Sequence, residues 1–106
     1  MYDLPTVVFD DTDRTLQFAL KDSDGNPLVI TGWTLSFRLG EPGSSVASTT
    51  KTLTVTDGVN GECECAFTAA ETTALTAGFK KYSIRRTDAS NHTVLQYGRV
   101  TIEKVI

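Results

Sequence analysis

The chain is poor in the residues that most chemistry needs. Among 106 residues there are one histidine, two cysteines, one tryptophan and one methionine. The lone histidine, His92, sits beside Asn91 in a predicted hairpin turn, where it reads as a solvated turn residue. A nucleophilic triad requires a base oriented by a carboxylate with a nucleophile in reach, and no such set is visible. His92, Cys63 and Cys65 together would lack the fourth ligand of a structural zinc site. Cys63 and Cys65 lie two apart; on one strand their side chains would share a face about 6.5–7 Å apart, at or past the reach of a disulfide. They read as two buried thiols acting as small apolar side chains.

Other absences bound the class of protein. No apolar run approaches the roughly 20 residues of a membrane-spanning helix. The start, Met1-Tyr2-Asp3-Leu4, has neither a basic region nor an apolar stretch of the secretory type. Synthesis and folding in a cytoplasm are therefore expected. Ten basic residues against thirteen acidic leave a net charge of −3, which argues against nucleic acid, since phosphate binding needs clustered Lys and Arg. At this length one domain spanning 1–106 is expected.

What is present is alternation of apolar and polar residues with period two, the pattern of half-buried strands. Thr15 to Leu20 places Leu16, Phe18 and Leu20 on one face. Asp22-Ser23-Asp24-Gly25-Asn26-Pro27 ends it as a dense turn. That acidic turn resembles a calcium loop only loosely, because its glycine comes too early and no closing glutamate follows. A short apolar step, Leu28-Val29-Ile30, precedes Trp33 to Leu39, in which Trp33, Leu35, Phe37 and Leu39 alternate with Thr34, Ser36 and Arg38. A polar loop spans 40–48. Lys51 to Thr56 turns Leu53 and Val55 inward, and Asp57-Gly58-Val59-Asn60-Gly61 joins it to Glu62–Phe67 as a hairpin.

The period then changes. Thr68 and Glu71 fit a capping box, and Ala70, Ala74 and Leu75 follow at helical spacing, so one short helix is predicted over 69–76 with Gly78 beyond it. Lys81–Arg85 resumes the strand pattern, a turn at 88–91 follows, and the last strand runs over about 93–105. In that strand Leu95 and Tyr97 are expected inward, with a bulge at Gly98 shifting the inward set to Val100 and Ile102. The sum is an all-β fold: an immunoglobulin-like antiparallel β-sandwich of about seven strands with one short helix.

Two surfaces are candidates for contact with other proteins. Residues 1–13 form either a docking arm or the domain's first strand; Leu4, Val7, Val8 and Phe9 make this segment apolar, and adding it to a neighbour's sheet edge would bury them. Lys81 and Arg85 alternate onto the face opposite Tyr82 and Ile84, which suits either a solvated edge or a charged docking patch. No catalytic residue, cofactor or metal is expected, and no small-molecule substrate.

The run from Asp22 to Leu39 resembles the N-terminal domain of the phage baseplate upper protein family and related immunoglobulin-like modules of phage tails. The likeness extends to Thr56-Asp57-Gly58, Phe67-Thr68-Ala69-Ala70-Glu71, Leu75 with Gly78, Tyr82-Ser83-Ile84 and Tyr97-Gly98-Arg99-Val100-Thr101-Ile102, and so covers 14–103. It implies a structural adaptor of a bacteriophage or prophage tail or baseplate, located in the virion and made in the cytoplasm of a bacterial host. The partners implied are other phage structural proteins, with a homo-oligomer expected. The competing expectation is a carbohydrate- or surface-binding sandwich module, which needs Trp33 or Tyr97 exposed beside carboxylates.

Overall fold

In the computed structural model, residues 3–4, 6–9, 12–44, 47–88 and 93–104 are described here. They form eight strands: β1 (Val7–Phe9), β2 (Arg14–Ala19), β3 (Leu35–Gly40), β4 (Thr49–Thr52), β5 (Thr54–Asp57), β6 (Glu62–Phe67), β7 (Gly78–Arg86) and β8 (Thr93–Lys104). One helix, α1 (Ala69–Ala74), lies between β6 and β7. Five strands in the order β1-β8-β7-β3-β4 make one sheet, and three in the order β2-β6-β5 make the other. The expected all-β sandwich with one short helix holds, with one addition. β1 runs parallel to β8, while every other pairing is antiparallel.

The inward set of each strand fills the space between the sheets. Phe37 of β3 is the hub: its ring stacks on Phe18 at 5.6 Å and Tyr82 at 6.0 Å, and meets Phe67 edge-on at 6.1 Å. Phe18 and Phe67 belong to the three-stranded sheet and Tyr82 to the five-stranded one, so one side chain joins both layers. Cys63 and Cys65 lie on the inward face of β6, buried and free. Ile30 and Leu20, both essentially buried, close one end of the core. The segment 28–30 is held there by Ile30 donating to the Gly58 carbonyl at 2.8 Å and Leu28 to that of Leu20 at 3.0 Å.

Four expectations are corrected. The single strand expected over 51–56 is two, β4 and β5, in different sheets. The chain crosses at Leu53, whose N–H bonds Leu35 at 2.9 Å and whose side chain is buried. Both sheets face one core, so a strand that changes sheet keeps its inward parity and the pattern shows no seam. The strand expected from Trp33 begins at Leu35; Trp33 is half-buried, with the Arg86 guanidinium over its ring at 4.1 Å. The bulge of β8 falls at Leu95, between the pairs Ile84–Gln96 and Arg85–Val94, and not at Gly98. In consequence Gln96, Gly98, Val100 and Ile102 point inward, and Tyr97 points out with 55% of its surface exposed. Finally, α1 ends at Ala74. Its capping box forms as expected, Thr68 Oγ1 accepting from Glu71 N–H and the Glu71 carboxylate from Thr68 N–H.

Candidate functional site

Strand β7 runs inside the five-stranded sheet, and its period-two pattern turns Phe79, Lys81, Ser83 and Arg85 to the outside. Register assigns their neighbours. Arg38 of β3 lies opposite Ser83, with Lys81 and Arg85 as its diagonal neighbours, and Tyr97 of β8 lies on the far side of Ser83. Arg38, Lys81, Ser83, Arg85 and Tyr97 line a groove of about 440 Å³, with Ser44 and Val94 at its sides. Lys81 Nζ reaches the Ser44 carbonyl at 3.4 Å and Arg85 Nε the Ser83 hydroxyl at 3.4 Å. The Nε of Arg38 is buried with no hydrogen-bond partner among the described residues.

The electrostatics of this groove differ from those of the ion-paired parts of the surface. Four of the seven cations outside it are matched with a carboxylate among the described residues: Lys51 with Glu71 at 2.6 Å, Lys80 with Glu41 at 2.6 Å, Arg86 with Asp88 at 2.8 Å and Arg99 with Asp3 at 3.1 Å. Among the described residues no carboxylate lies within 4.0 Å of Arg38, Lys81 or Arg85. Among the described residues the groove therefore carries three positive charges with no carboxylate paired to them.

A second cavity, of about 510 Å³, lies beside α1 and is lined by Glu41, Glu71, Lys80, Thr49, Leu75 and Thr76. Its charges are already matched. Lys80 is buried and donates to Glu41 at 2.6 Å and to the Thr76 hydroxyl at 2.8 Å. The Glu71 carboxyl is held below its ordinary range, first by the Lys51 ammonium and then by the Thr68 N–H. A carboxylate tied up in this way holds no proton to give near neutral pH.

The remaining candidate groups are also accounted for. Burial pushes both cysteine thiols up to about 11, far from a reactive thiolate. The Asp22 Oδ1 accepts from the N–H groups of Asp24 and Asn26, both at 2.9 Å, so the acidic turn is closed on itself. Among the described residues no three His, Cys, Asp or Glu side chains are grouped to hold a metal ion. His92 lies outside the described residues.

Of the residues singled out in the sequence, Lys81 and Arg85 come together at the groove, Lys81 exposed and Arg85 half-buried. Leu4 and Val7 sit elsewhere, on this domain's own edge. Leu4 is half-buried against the core and its N–H bonds Arg99 at 2.8 Å. Val7 is buried and packs with Val100, Ile102 and Leu16. Val8 and Phe9 pair in register with Glu103 and Lys104, and their side chains lie outside the described set. Two groove residues escaped sequence reasoning. Arg38 has the pattern of a spacer in an amphipathic strand, and Tyr97 faces outward, against the parity shift expected at Gly98, because the bulge falls at Leu95.

No family model matches the sequence, and no curated protein is similar to it. Among solved structures the fold is similar to the N-terminal domain of phage TP901-1 ORF48, with a TM-score of 0.60 over 96% of this chain and 83% of that one, at 15% sequence identity. At that identity the likeness is one of fold alone.

Proposed function

We propose that this domain is a structural component of a bacteriophage tail or baseplate, an immunoglobulin-like module that acts as an adaptor through protein–protein contacts. The observation that carries this reading is the fold likeness to a phage domain over nearly the whole chain. The sequence resemblance over 14–103 points the same way. The chemistry is consistent: the carboxylates around the larger cavity are each held by a lysine, and the groove presents charge and an aromatic ring to the outside, which suits contact. The partners on this reading are other phage structural proteins, and the location is the virion. The carbohydrate-binding alternative is not favoured, because Tyr97 is exposed beside Arg38 and Lys81 and not beside carboxylates.

Antibody raised against the purified chain, applied to particles released from the bacterium that encodes it, tests this. Gold label at the tail or its tip is expected in electron micrographs. Tailed particles that carry no label, with the protein recovered whole in the soluble lysate, would overturn the reading.

A further inference from the structure

The chain is acidic overall, and two of its faces carry clustered, unmatched charge of opposite sign. The outer surfaces of the two sheets of a sandwich point in opposite directions. On the five-stranded sheet the outward rungs carry Arg38, Lys81 and Arg85, with no carboxylate partner among the described residues. On the three-stranded sheet the central strand β6 buries Cys63 and Cys65 and turns Glu62 and Glu64 out. Among the described residues no cation lies within 4.0 Å of either glutamate. Their cross-strand neighbours are Ala19 and Asp57 beside Glu62, and Gln17 and Thr54 beside Glu64, so the face is short-chained and carries a further carboxylate. Nothing bulky there holds an approaching surface away.

We infer that these two faces dock on each other between copies of this chain, Glu62 and Glu64 of one copy entering the Arg38–Lys81–Arg85 groove of the next. The spacings correspond. Two glutamates at i and i+2 on one strand face lie about 7 Å apart. Arg38 and its two diagonal neighbours are each separated by about 7–8 Å. Two carboxylates can thus sit in the two gaps of a three-cation array. A nucleic acid fits less well, because three cations on an acidic chain offer little counterion release and the rest of the molecule repels a polyanion.

The geometry sets the kind of assembly and its strength. Two different faces make a heterologous contact, which continues into a stack or closes into a ring, in contrast to a twofold dimer. Five strands at about 4.8 Å spacing and six residues at about 3.3 Å give a face of roughly 500 Å², below the about 800 Å² per partner of a stable interface. A single contact is therefore weak and weakened further by salt, and it gains strength when other contacts hold the copies near each other. This inference rests on the charge distribution and not on the phage reading.

Sedimentation velocity of the full chain, over a range of concentrations at about 0.02 M and about 0.3 M salt, reads it out. The wild-type chain is expected to sediment faster as concentration rises at low salt, and as a monomer at high salt. The double variants Lys81→Glu/Arg85→Glu and Glu62→Lys/Glu64→Lys, checked for an unchanged circular dichroism spectrum, should each lose association at least tenfold. Mixing the two should restore it, because each retains the face that the other needs. A wild-type monomer at every concentration, reversed variants that associate as before, or a mixture that stays monomeric would overturn the proposal. Retention of a dT oligonucleotide by the wild-type chain without self-association would also overturn it, in favour of nucleic acid. A monomer leaves the virion proposal standing, and unlabelled particles leave this one standing.

Discussion

Replacing Phe37 by leucine tests how the two sheets are held together. The ring is 1% exposed and meets three other rings at 5.6–6.1 Å, two of them from the opposite sheet. Each aromatic pair adds about 0.5–1.5 kcal/mol beyond its buried area, so three pairs amount to roughly 3 kcal/mol. Leucine retains most of the apolar volume, and the pairings dominate the loss. Phe18→Leu removes the Phe18–Phe37 pairing and should cost about 1 kcal/mol on the same scale. For a domain near this size, 1 kcal/mol lowers Tm by about 4–8 °C, so the roughly 2 kcal/mol between the two variants should separate their Tm values by about 8–16 °C. Guanidinium unfolding followed by circular dichroism gives both values under one protocol. If Phe37→Leu costs no more than Phe18→Leu within about 0.5 kcal/mol, the hub account is wrong and the sheets are held by distributed aliphatic packing.

Three further predictions follow from particular geometry. Gly61→Ala should destabilise clearly more than Gly25→Ala. Both glycines have positive φ, but a Cβ at Gly61 would lie 2.6 Å from the Leu20 carbonyl and 2.7 Å from that of Leu28, while one at Gly25 meets nothing within 4 Å; equal Tm losses would contradict this. Hydrogen bonds from Arg86 hold the Asp88 carboxyl down at about 2. Its stabilising effect is therefore complete above the ordinary carboxyl value near 4 and lost as pH falls through about 2. Asp88→Asn should flatten the Tm profile between those limits, and an Asp88 NMR titration midpoint near 4 would refute the assignment. Cys63 and Cys65, pushed up to about 11 by burial, should resist an aromatic disulfide reagent at pH 8 in the folded chain and both react in denaturant. Fast labelling of the native protein would show that the core opens locally.

How far the sequence could be read depended on the range of the interaction concerned. The hairpin at 57–61, the capping box of Thr68 and Glu71 and the inward faces of β3 and β6 are local matters of turn chemistry and side-chain alternation. All were legible. The crossing at Leu53 was not, because a strand that leaves one sheet for the other keeps its apolar side toward the same core. Nor was the bulge, since Leu95 and Gly98 are both plausible sites until β7 is laid alongside. Whether the one extra residue falls before or after Tyr97 decides whether that ring faces the groove or the core.

The amino-acid pattern by itself determined an all-β fold, with a helix too short to span more than a connection, and it placed Lys81 and Arg85 on an outward face. Only the tertiary structure decided that Arg38 and Tyr97 join them while Glu62 and Glu64 point the opposite way. The physical reason is that alternation along one strand sorts side chains to two sides but does not say which strands lie next to each other. Neighbours come from pairing between segments distant in sequence, and a charge becomes matched or unmatched only once those neighbours are chosen.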